Sequence, residues 1–133
     1  MSKHYILDSF ALIALLRHQP GGETVCKLLQ ESRTGKCNLW LSLINFGEIA
    51  YILERKRGQR GVRKFITALD ETTVELAAIT RKRVLAAAHI KANHPLSYAD
   101  AFAVALAQEL KATVVTGDPE FHTVEKLIDV LWL

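Results

Sequence analysis

Tyr5-Ile6-Leu7-Asp8-Ser9-Phe10-Ala11-Leu12-Ile13-Ala14-Leu15-Leu16 is the stretch from which the rest of the chain can be read. Tyr5-Ile6-Leu7 has the character of a short buried strand, and Asp8-Ser9 opens an apolar helix over 10–16. An acid thus sits where a strand hands over to a helix. Pro20-Gly21-Gly22 then breaks the chain before a helix over 23–32, in which Val25, Leu28 and Leu29 keep helical spacing, with a stop near Gly35. A second strand is expected over 38–41. Ser42 caps a helix over 43–57 that Gly58 closes, and another helix follows over 59–69 with Val62, Ile66 and Leu69 on one side. The remaining expectations are a strand over 74–76, helices over 80–92 and 97–110 divided by Pro95, a strand over 112–116, a short helix from Asp118-Pro119 and a last strand over 128–131. Strands alternate with helices throughout. The pattern implies an α/β fold with a mostly parallel central sheet of about four to five strands, flanked by helices on both faces. No repeat, low-complexity tract or linker divides the chain.

Half of the 133 residues are apolar and 23% are charged, the balance of an ordinary globular protein. The first apolar run is far shorter than the ~20 residues of a membrane-spanning helix. It follows Asp8 and meets Arg17-His18, so neither a membrane anchor nor a secretory signal is expected. Cys26 and Cys37 form no C-x-x-C motif, and a reducing cytoplasm is the expected home. The net charge is +3, from 17 basic and 14 acidic residues; neutralising four acids with metal would raise the balance to +7. Such a surface permits nucleic-acid binding without requiring it.

Four carboxylates stand among apolar residues with no cation at helical spacing to pair with. Asp8 follows a strand. Glu48 lies in Ile44-Asn45-Phe46-Gly47-Glu48-Ile49-Ala50-Tyr51-Ile52, with isoleucines four residues to either side. Asp100 lies in Leu96-Ser97-Tyr98-Ala99-Asp100-Ala101-Phe102-Ala103-Val104, and Asp118 ends Val114-Val115-Thr116-Gly117-Asp118. A divalent cation is the simplest partner that all four could share, and ligands of open α/β sheets bind beyond the carboxyl ends of the strands. Simpler roles exist for three of them. Asp8 and Asp118 also read as N-caps, with Pro119 suited to a first helical position, and Ser97-x-x-Asp100 resembles a capping box. Glu48 lies too deep in its helix to cap it.

These segments resemble the motifs of PIN domains, most closely those of the VapC toxins. Ile6-Leu7-Asp8-Ser9-Phe10-Ala11 resembles the first motif, Asn45-Phe46-Gly47-Glu48-Ile49 the second, Leu96-Ser97-Tyr98-Ala99-Asp100-Ala101 the third and Val114-Val115-Thr116-Gly117-Asp118-Pro119-Glu120-Phe121 the fourth. Four motifs in order fill nearly the whole chain. The resemblance implies a single PIN domain over residues 1–133, a three-layer sandwich. It implies that Asp8, Glu48, Asp100 and Asp118 are catalytic and hold one or two Mg²⁺ or Mn²⁺ ions, supported by Ser9, Asn45 and Thr116. Phe10 departs from it, standing where a small residue is usual. The implied activity is hydrolysis of RNA to 5′-phosphate and 3′-hydroxyl ends, by the toxin of a toxin–antitoxin pair. A homodimer and a cognate VapB-like antitoxin, which covers the acidic site with an extended segment, are implied as well.

The densest basic run, Arg55, Lys56, Arg57, Arg60, Arg63 and Lys64, reads either as a solvated surface or as a grip on RNA phosphates. His89 and His94 are five apart and make no helical zinc pair. Trp40 and Trp132 read as core or interface anchors rather than as base-stacking platforms. A receiver domain would show adjacent acids after the first strand, a haloacid-dehalogenase-like phosphatase Asp-x-Asp, and a P-loop Gly-x-x-x-x-Gly-Lys; none is present. A PIN module that binds without cutting has no need of four clustered acids. A PIN nuclease of RNA processing remains open beside the toxin.

Overall fold

The computed structural model describes residues 3–133. Five strands, β1 (Lys3–Leu7), β2 (Cys37–Ser42), β3 (Glu75–Ala77), β4 (Thr113–Thr116) and β5 (Asp129–Trp132), form one sheet in the order β3-β2-β1-β4-β5. Every neighbouring pair is parallel. The expected mostly parallel sheet is therefore wholly parallel. Helices α1 (Ser9–Leu16) and α2 (Gly22–Arg33) connect β1 to β2, and α3 (Leu43–Asp70) connects β2 to β3. Helices α4 (Arg81–Asn93) and α5 (Tyr98–Leu110) lead to β4, and a 3₁₀ helix, Pro119–Val124, leads to β5.

Four helices begin where a polar side chain occupies the N-cap and accepts backbone N–H groups of the first turn. Asp8 does so for α1, Ser42 for α3, Thr80 for α4 and Ser97 for α5. The two helices expected over 43–57 and 59–69 are both present as the halves of α3, parted at Gly58, whose φ of 64° and ψ of −171° lie outside the helical region. Glycine meets that geometry without the steric penalty a side chain would bring. The closing segment expected as a short helix is wound as 3₁₀, and the β3 strand lies one residue later than 74–76. No helix among the described residues is long and apolar enough to cross a membrane.

Alternation along the central strands feeds two cores. Ile6 and Val114 face α4, α5 and the 3₁₀ helix; Leu7 and Val115 face α1, α2 and α3. Helix α5 is buried along Asp100–Ala107, where its alanines let it pack closely against α4, α3 and the sheet. An acid in that run is held rigidly by its neighbours.

The chain builds one half of the sheet from β1 outward through β2 to β3, then crosses back to place β4 on the other side of β1. The connections reverse between β1 and β4, and their carboxyl ends leave the crevice in which ligands of such sheets bind. Asp8 and Asp118 follow those two strands. Phe121, wholly buried in the α4–α5 core, anchors the 3₁₀ helix that begins after Asp118. Phe121→Ala should cost about 3–5 kcal/mol of unfolding free energy in urea denaturation, from lost burial and the cavity left behind. A cost under ~1 kcal/mol would mean that the segment is not anchored through this ring.

Candidate metal centre

Asp8 is only 1% exposed. Its Oδ1 accepts the Ala11 N–H at 2.8 Å, so the residue caps α1 while facing the crevice. Burial pushes its carboxyl up from 3.8 to about 7; hydrogen bonds from Thr116 and Ala11 oppose the rise, and the charges of Asp100 and Asp118 add to it. Asp100 enters from the first turn of α5, buried, with its N–H donating to the Ser97 hydroxyl at 3.1 Å. Burial likewise raises it to about 7, against a hydrogen bond from Ser97 and with the charges of Asp118, Glu48 and Glu120 adding to the rise.

Asp118 is half-buried and occupies the N-cap of the 3₁₀ helix. Its N–H donates to Thr116 Oγ1 at 3.0 Å, and its Oδ1 accepts the Glu120 N–H at 2.9 Å. Thr116, completely buried, therefore bonds to Asp8 with its side chain and orients the backbone of Asp118. Glu48 is also half-buried and accepts a short hydrogen bond from the Ser9 hydroxyl. Asn45 is fully buried between these elements and donates through Nδ2 to Ser9 Oγ at 3.3 Å and to Ala99 O at 3.4 Å. Ser9, Asn45 and Thr116 thus tie α1, α3, the start of α5 and the end of β4 together around the acids.

Carboxylate oxygens of Asp100, Asp118 and Glu120 lie within 4.8 Å of one another. Asp8 acts electrostatically on this group through Asp100 and Asp118, and Glu48 through Asp100. Of the four acids singled out in the sequence, Asp100 and Asp118 meet in this group together with Glu120, while Asp8 and Glu48 lie close enough to act on it electrostatically. Sequence reasoning passed over Glu120 because it is exposed and stands beside Pro119, whereas the search was for acids in apolar surroundings. Its place two residues after Asp118, at the start of a helix, was the available signal. The desolvation premise holds for Asp8 and Asp100 but not for the half-buried Glu48 and Asp118. Capping is also no alternative to the site, since Asp8 and Asp118 cap their helices and face the cluster together.

The ion pairs among the described residues, Arg83–Glu109 and His122–Glu125, include none of these acids. An all-oxygen set of carboxylates with hydroxyls behind them suits a hard cation such as Mg²⁺ or Mn²⁺ better than a softer one. Without a cation, protons on Asp8 and Asp100 remove the cost of burying charge and, to a lesser degree, the repulsion, which is what their raised values express. The donor set therefore fits a divalent ion.

The basic run lies elsewhere. Arg55, Lys56, Arg57, Arg60, Arg63 and Lys64 are exposed along α3, beginning seven residues beyond Glu48, or ~10 Å along a helix axis. Arg57, Arg60 and Lys64 line a cleft of about 530 Å³ with Leu16, Leu53 and Phe65. Trp40 is partly buried and donates to His4 at 3.1 Å, as an anchor should. Trp132 is 37% exposed and belongs to neither core, so the core half of that expectation does not hold for it. His89 is exposed and His94 Nδ1 meets the Ile90 carbonyl, so neither is drawn into the centre.

A family model described as PIN domain matches residues 5–127. No curated protein sequence matches the chain. Among solved structures, the chain is similar to VapBC2 from Rickettsia felis bound to a promoter DNA fragment, with a TM-score of 0.73 and 16% identity over 96% of this chain and 97% of that one. It is similar to DNA-bound VapBC from Salmonella typhimurium, with a TM-score of 0.73 and 16% identity over 98% of both chains. It is similar also to Mycobacterium tuberculosis VapC20, described as a Sarcin-Ricin loop cleaving toxin, with a TM-score of 0.71 and 20% identity over 89% and 92% of the two chains. Likeness at such identities carries the fold.

The raised carboxyls fix the sign of a pH effect. Between 3.8 and about 7 the folded, metal-free protein holds protons on Asp8 and Asp100 that the unfolded chain has released, so stability falls as pH rises through that window. The loss, on the order of a few kcal/mol, is complete above the upper value. Melting in EDTA should show wild type losing more stability than Asp100→Asn between about pH 5 and about pH 8. Mn²⁺ should restore the wild type at the higher pH. Equal losses in the two proteins, with no effect of Mn²⁺, would contradict the electrostatic reading.

Proposed function

The chain belongs to the PIN domain family, and from that premise we propose that it is a metal-dependent endoribonuclease acting as the toxin of a toxin–antitoxin pair. The observation that carries the reading is the cluster of acids without a paired cation at the crevice between β1 and β4. Support for the toxin role comes from the similar folds of VapBC assemblies and of a loop-cleaving toxin. On this reading residues 1–133 are one PIN domain, working in the cytoplasm as a homodimer. A VapB-like antitoxin restrains it by laying an extended segment over the acids.

Asp8, Asp100 and Asp118 would hold Mg²⁺ or Mn²⁺, with Glu48 and Glu120 completing the ligand set. The bound ion supplies positive charge for the phosphodiester and lowers the pKa of water that attacks it. The remaining work falls to the protein. Thr116 keeps Asp8 and Asp118 in register across the two strands, and Ser9 holds Glu48 while Asn45 holds Ser9. Asp8 and Asp100 give up their protons as the ion binds, so affinity for metal rises with pH through neutrality. Rigid placement on helix starts and strand ends limits the reorganisation needed when substrate arrives. Arg55, Lys56, Arg57, Arg60, Arg63 and Lys64 provide a second, phosphate-binding surface along α3.

The test is cleavage of labelled RNA with Mg²⁺, Mn²⁺ or EDTA, and the chemistry of the new ends. Cutting should need metal, leave 5′-phosphate and 3′-hydroxyl ends, and fall at least about a hundredfold in Asp100→Asn. Cutting that survives EDTA, or 2′,3′-cyclic phosphate ends, would overturn the mechanism.

A further inference from the structure

Two partly exposed aromatic side chains stand beside the segment that carries Asp118. Phe10, in the first turn of α1 two residues after Asp8, is 40% exposed. Its ring lies directly against Gly117, where an added Cβ would come within 2.3 Å of Cε1 and 2.6 Å of Cζ. Only glycine admits the ring to the loop between Thr116 and Asp118. Trp132 is in register with Thr116 on the neighbouring strand, roughly 5 Å away across the sheet. One face of its indole stacks on His122, with centroids 4.2 Å apart and planes at 22°. His122 lies in the same 3₁₀ helix as Glu120, and its ring bonds to Glu125 at 2.7 Å, which steadies the stack from behind.

Each ring thus has one contact with protein and stays partly exposed; Phe10 follows β1 and Trp132 ends β5, the two strands that flank β4, after which the loop with Asp118 begins. We propose that Phe10 and Trp132 form a base-stacking platform that takes nucleobases of single-stranded RNA on either side of the phosphate to be cut. This rests on the nuclease reading above and deepens it by naming the substrate form and the groups that hold it. The chemistry favours a nucleobase as the occupant. The acid cluster with its cation fixes a phosphate at the middle of the platform, and any base bonded through a ribose to that phosphate has a π-face to offer rings on either side. Stacking tolerates any sequence, so the platform selects for unpaired bases over a duplex, whose bases are already stacked on one another. Tyr98 marks the contrast. It is 44% exposed and packs edge-on to Phe102, but it lies about 200° around α5 from Asp100 and so projects away from the acids.

The experiment measures binding of oligoadenylate, oligouridylate and an abasic ribose-phosphate oligomer of equal length, with Ca²⁺ in place of Mg²⁺ to hold the acids without rapid cleavage. Phe10→Leu and Trp132→Leu should each weaken oligoadenylate binding by roughly ten- to a hundredfold, oligouridylate less, and the abasic oligomer hardly at all. Phe10→Tyr should bind as wild type, and Tyr98→Leu should match it too. In a Trp40→Phe protein Trp132 is the one remaining indole, and oligoadenylate but not the abasic oligomer should quench its emission. Equal weakening for abasic and base-bearing oligomers, or no quenching, would overturn the platform. Wild-type protein that cuts RNA with Mg²⁺ while both leucine variants bind normally would reject the platform and leave the nuclease standing. Wild-type protein that neither binds nor cuts RNA would reject both.

Discussion

The burial of carboxylates at one crevice, sharpened by their mutual repulsion, is the constraint around which this protein is arranged. Asp8 and Asp100 are buried, and each feels the charge of other acids in the group. Proteins seldom bury ionised groups unpaired, because desolvation opposes it and like charges add to the penalty. Here the penalty is held in place by rigid supports: a strand end and helix cap for Asp8, a buried helix for Asp100, and a 3₁₀ helix cap for Asp118. Such a site is incomplete until something positive enters it, which makes cation binding and stability two readings of one electrostatic balance.

The short connection from β4 to the 3₁₀ helix carries much of this arrangement. The Thr116 hydroxyl bonds to the Asp8 carboxyl and accepts the backbone N–H of Asp118, Gly117 admits the Phe10 ring, Asp118 and Glu120 supply oxygens, and Phe121 fixes the segment in the core. Pro119 between the two acids suits a helix's first position, where no backbone N–H is needed. Because the same few residues carry the acids, their orientation and an exposed aromatic surface, changes in this loop should alter the acid cluster and that surface together.

Much of the architecture was legible because apolar runs of strand length alternate with helical patterns and the helix starts carry side chains that cap. The sheet was expected to be mostly parallel and proved wholly so; strand ends shifted by a residue or two, as the ends of short elements do. The break at Gly58 was visible as a helix stop, and the backbone there leaves the helical region, because glycine takes a positive φ without steric cost. Asp8, Glu48, Asp100 and Asp118 were found because ionisable groups amid apolar neighbours are conspicuous. Glu120 was not, because it is exposed and its meaning comes from what the 3₁₀ turn places beside it; Trp132, read as a core or interface anchor, lies outside both cores at the end of β5. Periodicity reports which side chains are buried; it does not report which exposed ones meet across elements.

The most direct test of the central claim is to locate a cation. Crystals soaked in Mn²⁺ would be examined by anomalous scattering at the metal's absorption edge. The account predicts a peak bounded by Asp8, Asp100 and Asp118, with Glu48 or Glu120 at its margin, and its disappearance in Asp100→Asn. Mn²⁺ bound only at other surface carboxylates, with the crevice acids still protonated above neutral pH, would contradict it.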